Sequence, residues 1–323
     1  MGKRLLEVQN LKTYFTMQGS VVKAVDDVSF HVDENETLGI VGESGCGKTI
    51  SCLSILRLVP KPGRIISGKI LFEGKDLLAI SEKDMHEIRG SKISMILQDP
   101  MTSLNPVFTI GDQVGESIAA GCKLKKDVLT AKIVEVLELV KIPSPEKRIS
   151  AFPHQMSGGM KQRVVGAISI SCRPQLLIAD EPTTSLDVTI QAQYLELLKE
   201  IQRELGMALI FITHDFGIVA TMCDRVSVMY AGQIVESASV MDIFYRPTHH
   251  YTAALLKAVP KLETKVDRLT SITGQPPRLD RLPAGCRFSP RCPRSDKKCV
   301  KELPTLVEMN SNHYVRCWYP LAG

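Results

Sequence analysis

The sequence has no long apolar run. Its longest, at residues 176–179 and 208–212, are strand-sized, whereas a bilayer span takes roughly 20 consecutive apolar residues. No segment is therefore expected to cross a membrane. The opening stretch, MGKRLLEVQNLKTYF, lacks the apolar core and small-residue cleavage site of a secretory leader. Its Met-Gly start is a weak acylation signal, since Leu6 and Glu7 already read as strand. Internal repeats and low-complexity tracts are missing too. The excess of one charge sign over the other is small: a net +5 suits an anionic ligand or a membrane surface but is too little to argue for nucleic acid. What remains is ordinary for a globular protein, with 44% hydrophobic and 23% charged residues in a chain of 323. That length accommodates one large domain with an appendage, or two mid-sized domains.

The nine cysteines are unevenly placed. Cys46, Cys52, Cys122, Cys172 and Cys223 are scattered and read as small buried or loop residues. Cys286, Cys292, Cys299 and Cys317 crowd into the last part of the chain. Without an export leader, a disulfide framework is not expected.

The opening is β-rich: residues 5–9 and 24–32 alternate in the strand manner, with Gln18-Gly19-Ser20 as a turn between them. Residues 37–41 (TLGIV) form a short apolar strand running into a glycine-rich loop, after which the apolar spacing from Lys48 to Leu58 turns helical. Pro60, Pro62 and Gly63 stop that helix. A long helical stretch is expected over 110–142. A strand-then-helix rhythm follows through 176–179, 190–204, 208–213, 216–222 and 226–230. That alternation indicates a mainly parallel sheet covered by helices on both faces. Beyond about Pro260 the composition becomes proline- and arginine-rich and reads as an irregular extension.

Gly42-Glu43-Ser44-Gly45-Cys46-Gly47-Lys48-Thr49 matches G-x-x-x-x-G-K-[ST], with the strand before it and the helix after it that the motif needs. The glycines let backbone N–H groups curl round a polyphosphate, and the helix start adds partial positive charge. Lys48 would reach the β- and γ-phosphates, and the Thr49 hydroxyl would ligate Mg²⁺. Alone, the motif says nucleotide binding. Leu176-Leu177-Ile178-Ala179-Asp180-Glu181 is an apolar strand ending in two carboxylates, and doubly wound folds bring such strand ends to the phosphate loop. Asp180 would hold Mg²⁺, mostly through water, and Glu181 would orient or deprotonate the attacking water. A bare acidic pair at a strand end is the bland alternative, common in isolation.

Met156-Ser157-Gly158-Gly159-Met160 resembles the signature of ATP-binding-cassette (ABC) nucleotide-binding domains, with Met160 replacing the usual glutamine, and Lys161-Gln162-Arg163 also fits. Ser157, Gly158 and Gly159 at a helix start would expose N–H donors to the γ-phosphate held by a second subunit. The resemblance implies roles for the remaining elements in order. Gln98 resembles the glutamine that contacts Mg²⁺ and the attacking water. Ser185-Leu186-Asp187 resembles the loop that speaks across the dimer interface. His214 resembles the histidine that hydrogen-bonds the γ-phosphate. Phe15 falls where the family stacks an aromatic on adenine; Tyr14 competes, because a one-residue register slip swaps strand faces. The implied fold is α/β: an ABC-type P-loop nucleotide-binding domain over 1–258, with a mixed sheet core and a helical subdomain at about 100–167. A small irregular cysteine-containing extension over 259–323 follows it.

A closer resemblance is to the ATP-binding subunits of dipeptide and oligopeptide permeases, a group that also includes nickel and glutathione importers. It is carried by Gln98 through Pro106, Ser157 through Arg163, Asp180 through Thr189, Tyr230-Ala231-Gly232, Tyr245 through Thr252 and Gly285 through Pro293. It implies an ATPase whose partners are a second ABC ATPase subunit (a heterodimer in most of the group), two transmembrane permease subunits and an extracytoplasmic solute-binding protein. The chain would lie at the cytoplasmic face of the membrane, and no nucleic acid is implied. A soluble ABC ATPase of translation or DNA maintenance is the rival. Those types usually carry two cassettes or a cassette split by a coiled coil, and this cassette is single and continuous.

The spacing Cys286-x₅-Cys292-x₆-Cys299, with Cys317 downstream, is not that of a zinc finger, where the first cysteines lie two to four apart. Some members of the permease group carry a [4Fe–4S] cluster in the matching extension, and the resemblance implies one here; zinc or free thiols are the alternatives. Arg287, Arg291, Arg294, Lys297 and Lys298 would offset a cluster's negative charge; the arginines could instead form a solvated face or lie near anionic lipid. Far in sequence from Lys48 and Glu181, the cluster is expected to be a structural or docking element rather than catalytic.

Overall fold

The computed structural model describes residues 2–17, 19–98, 103–121, 124–184, 186–259 and 271–322. Residues 99–102 of the segment after Gln98, Cys122, and Ser185 of the Ser185-Leu186-Asp187 stretch lie outside the described residues. The strands, in chain order, are β1 (Arg4–Met17), β2 (Ser20–Asp33), β3 (Thr37–Val41), β4 (Gly63–Phe72), β5 (Lys75–Asp76) and β6 (Ile93–Ile96). They continue with β7 (Leu176–Asp180), β8 (Ala208–Thr213), β9 (Arg225–Tyr230), β10 (Gln233–Ser239), β11 (Val307–Asn310) and β12 (His313–Val315). The chain divides into two compact units: Met1–Leu5, Val32–Glu36 and Ala79–Phe211 make the first, and Leu6–His31, Thr37–Leu78 and Ile212–Gly323 the second.

In the first unit the strand order is β8-β7-β6, and β6 pairs with β7 in parallel, Ile93 opposite Leu176 and Ile96 opposite Ala179. Every residue of β7 is buried, which is why this strand is continuously apolar rather than alternating. The expected helical stretch over 110–142 is two helices, Ile110–Gly121 and Lys126–Leu139. The first crosses the second closely at Gly115, where an added Cβ would stand 3.1 Å from the Ile133 Cδ1. Helices Gly158–Ile170 and Val188–Leu205 complete the unit. They too meet at a glycine: a Cβ on Gly166 would lie 3.1 Å from the buried Tyr194 hydroxyl.

The second unit holds the antiparallel order β2-β1-β4-β5 and the mixed order β11-β12-β10-β9-β3. β3, wholly buried, runs parallel to β9, while β9 and β10 form an antiparallel hairpin. In β1 the register slips between Gln9 and Lys12. There Asn10 takes a left-handed φ of 47°, and Gly68 faces the bulge so tightly that a Cβ would meet the Leu11 Cα at 2.7 Å. The extension is less irregular than its composition suggests. β12 pairs with β10, Val315 opposite Glu236, and β11 pairs with β12. Strands of four and three residues give too few positions for alternation to register in the sequence. Among the described residues no helix is long and apolar enough to cross a membrane.

Candidate functional site

The phosphate loop lies in the second unit, between β3 and helix Lys48–Ile55. Its glycines are needed for their backbone. Gly42 and Gly47 have φ of 153° and 107°, and a Cβ on either would come within 2.1 Å of a carbonyl oxygen, of Met229 and Ala24 respectively. Ser44 and Gly45 are exposed at the rim. Cys46 is buried, and burial pushes its thiol pKa up. The Lys48 ammonium, also buried, donates to the carbonyls of Gly42 at 2.8 Å and Glu43 at 3.3 Å. Thr49 follows in the first helical turn. Phe15 sits opposite Gly63 across the β1–β4 pair, its ring over a position where a Cβ would be 2.6 Å from its Cε1. Tyr14 points to the other face, where its hydroxyl donates to Asp26 Oδ1 at 2.5 Å and the Lys23 ammonium lies 5.8 Å from its ring centre. His214 follows β8 and is exposed.

The first unit carries the carboxylates. Asp180 closes β7 and is buried. Glu181 comes next in a left-handed conformation, φ 44°, a strained state for a non-glycine residue of the kind that clusters at functional sites. Its Oε2 accepts from Gln98 Nε2 at 3.3 Å and from Thr184 Oγ1 at 3.0 Å. The structure thus brings together Gln98 and Glu181, which are 83 positions apart. Ser157 is the N-cap of helix Gly158–Ile170, its hydroxyl accepting from the Met160 N–H at 3.3 Å. Gly158 faces open space, whereas a Cβ on Gly159 would strike the Ile190 Cγ2 at 2.7 Å. Asp187 also acts locally, where its Oδ1 caps helix Val188–Leu205 by accepting from Thr189 and Ile190 N–H at 3.1 and 3.0 Å.

The extension is where the structure departs from the sequence reading. Arg287 and Arg291 were expected to neutralise a cluster or face solvent; their side chains, and that of Arg316, to which no role was given, are instead buried against the rest of the second unit. Arg287 pairs with Asp26 and donates to the Ala231 carbonyl. Arg291 meets both oxygens of Glu43 in the phosphate loop, at 2.7 and 3.0 Å. Arg316 donates to the Asp27 carboxylate at 3.0 Å and to the Ile234 carbonyl at 3.1 Å. Each is the immediate neighbour of a cysteine: Cys286, Cys292 and Cys317. Phe288 lies edge-on to Tyr230 at 5.3 Å and tilted against Tyr251 at the same distance. Arg294 and Lys298 stack over Tyr319 and Trp318. Burial pushes the Asp26 carboxyl up, but the Tyr14 hydrogen bond and the Arg287 charge outweigh it and hold the group below the usual range.

Glu236, fully buried, gathers the other end of the extension. It accepts from Thr248 N–H at 2.6 Å, His249 N–H at 2.9 Å and His313 Nε2 at 2.8 Å. These bonds overcome desolvation and keep its carboxyl below the usual value.

Burial first, and then the charge of neighbouring cysteines, push the pKa of Cys286, Cys292 and Cys317 up, Cys317 to about 11. Soft sulfur donors suit iron or zinc. Yet among the described residues no group of three or more histidine, cysteine, aspartate or glutamate side chains is arranged to hold a metal ion. The expected [4Fe–4S] ligation is therefore without support in this arrangement. The sequence assigned no role to Glu43, Tyr230 and Tyr251, though they fall in its motifs, and passed over Asp26 and Asp27. The one available signal was the recurrence of Cys-Arg pairs.

Two family models match the chain: "ABC transporter" over residues 25–184 and "Oligopeptide/dipeptide transporter, C-terminal region" over residues 235–299. The oligopeptide transport ATP-binding protein OppD of Bacillus subtilis is 50% identical over 98% of this chain and 88% of its own length. The dipeptide transport ATP-binding protein DppD of Escherichia coli is 46% identical, over 98% and 97%. Among solved structures, the dimeric post-hydrolysis state of the ATP-binding cassette MJ0796 bound to ADP and Pi covers 73% of this chain and 99% of its own. Its TM-score is 0.64 and its identity 21%, a likeness of fold.

Proposed function

The chain belongs to the ABC transporter family of ATP-binding proteins, whose cassettes hydrolyse ATP, and on that premise we propose that it energises an importer of dipeptides or oligopeptides. The observation that carries the cargo class is the match of residues 235–299 to the C-terminal region particular to oligopeptide and dipeptide transporters. Relatives named for peptide transport, aligned over nearly the whole chain, support it. Residues 1–258 would serve as the cassette, with a helical subdomain at about 100–167, and 259–323 as the permease-type extension.

In this reading ATP binds with its phosphates in the glycine-rich loop, 42–49. Lys48 exchanges its bonds to the Gly42 and Glu43 carbonyls for phosphate oxygens, and the N–H groups of Ser44 through Thr49 add further donors. Phe15 stacks on adenine, since the Tyr14 hydroxyl is committed to Asp26. Thr49, Asp180 and Gln98 offer the hard oxygen donors that Mg²⁺ prefers, and the ion would neutralise charge on the phosphates. Glu181, its carboxylate ordered by Gln98 and Thr184, orients and deprotonates the attacking water, while His214 donates to the γ-phosphate. The donors at Ser157, Gly158 and Gly159, together with Asp187, serve the ATP of a second ABC subunit, in most of the group a different chain. ATP-driven closure of that pair works two permease subunits fed by an extracytoplasmic solute-binding protein, with this chain peripheral at the cytoplasmic face. A [4Fe–4S] cluster on Cys286, Cys292, Cys299 and Cys317 belongs to the same proposal. Its support is the four-cysteine spacing and the resemblance of the extension to that of the permease group.

The test is to isolate the chain from its native membrane. Recovery with two hydrophobic permease subunits, and peptide uptake that stops when Lys48 is replaced, is the expected result. Recovery alone, or with ribosomes or DNA, would overturn the transporter reading.

A further inference from the structure

Glu43 is the second residue of the phosphate loop, and it brings a carboxylate to a loop that must hold a polyanion. Uncompensated, that charge opposes the ligand. Arg291 meets it in a two-pronged ion pair, Nη1 to Oε2 at 2.7 Å and Nη2 to Oε1 at 3.0 Å. The fork geometry is the strongest form of such a contact. The Arg291 side chain is 3% exposed, against 27% for Glu43, so the pair is screened little by salt.

Two of the three remaining guanidinium donors are committed as well. Nη1 also reaches the Tyr230 hydroxyl at 3.3 Å, and Nε reaches the Thr273 carbonyl at 3.2 Å. The Glu43 main-chain N–H donates to the Tyr251 hydroxyl at 3.1 Å. One residue of the phosphate loop is thus gripped by its side chain from the extension and by its backbone from helix His250–Ala258, while Tyr230 of β9 helps hold the arginine. A cavity of about 230 Å³ lies between Glu43–Cys46 and the extension's Pro276–Leu279, so a second stretch of the extension borders the same loop.

We propose that Arg291 is a charge-compensating and positioning residue for ATP binding: it cancels Glu43 and fixes the phosphate loop, so that the C-terminal extension sets the subunit's nucleotide affinity. The inference rests on residues 42–49 being the nucleotide's phosphate loop. Arg291 need touch no substrate atom, because it acts through Glu43.

The two components carry opposite signs, which makes them testable by calorimetric titration of the full-length chain with ADP and a non-hydrolysable ATP analogue. Arg291→Gln leaves Glu43 uncompensated and is expected to weaken binding about tenfold, or ~1.4 kcal/mol. Glu43→Gln removes the opposing charge and should bind at least as tightly as the parent. The double variant should recover most of the loss. A merely structural arginine would give no such rescue. Parental affinity in Arg291→Gln, or a double variant as weak as the single, would overturn the proposal. Should Arg291→Gln fail to fold, Glu43→Gln decides alone, and binding weakened about tenfold in that variant would be fatal. A parent chain that binds no nucleotide would instead refute the phosphate-loop assignment, and the proposal with it.

Discussion

Acidification should loosen the extension's seat on the sheet through His249, and the size of the effect follows from its surroundings. The imidazole is 2% exposed and lies 5.9 Å from the Phe288 ring. It caps helix His250–Ala258 by accepting the Tyr251 N–H on Nδ1 at 3.0 Å. Burial lowers its pKa from 6.5 to about 4. The unfolded chain therefore takes up a proton near 6.5 that the folded chain refuses until about 4, and stability is lost as the pH falls through that window. Between about pH 7.5 and about pH 4.5 the linkage integral is about 2.5 kcal/mol. Glu236, Asp26 and Asp27 are also held low, but most of their loss falls below the ordinary values of 4.5 and 3.8, and together they add only about 0.6 kcal/mol by pH 4.5. The assay is urea unfolding of the full chain at both pH values, for the parent and for His249→Asn, which keeps a capping acceptor without the titration. The variant should lose less than about half as much stability on acidification. Equal losses in both proteins would refute the assignment of the effect to His249.

Gly158→Asp has room for its side chain, since a Cβ there meets nothing within 4 Å, so the fold should stand. The new carboxylate at the helix start should repel a partner's γ-phosphate, abolishing ATP-driven dimerisation in light scattering while nucleotide binding persists; undiminished dimerisation would contradict the shared site. Protein purified without oxygen should be brown and carry close to four irons per chain, as four-thiolate ligation of a cubane implies, and Cys286→Ser should bleach it. Colourless protein with one zinc would assign the cysteines to zinc, and metal-free protein would leave four thiols.

What the sequence revealed were the contiguous motifs. Gly42 through Thr49 and Leu176 through Glu181 carry their chemistry in adjacent residues, so a strand, a turn and a charge can be read together. The signature serine was readable for the same reason: its cap is closed three residues away, at Met160. Gln98 and Glu181 became a pair only through resemblance, because nothing local links residues 83 apart. The arginine anchors were illegible. Arg291 reaches Glu43 across 248 positions, Arg287 reaches Asp26 across 261, and Arg316 reaches Asp27 across 289. Composition around the cysteines shows positive charge but not its partners, so a solvated basic face and a buried set of ion pairs look alike until the chain is folded. Separation in sequence likewise gave no sign that the extension reaches the phosphate loop, where the structure places Arg291 on Glu43.

The central claim is that this chain hydrolyses ATP with Glu181 as the base, and turnover of Glu181→Gln beside the parent tests it most directly. Gln keeps the shape of the side chain and a hydrogen-bonding oxygen for Gln98 and Thr184 but cannot take a proton. With saturating Mg²⁺-ATP the variant should bind nucleotide as the parent does and release phosphate about 10²-fold more slowly or worse, in the range of a lost general base. Phosphate release at the parent's rate would contradict the account.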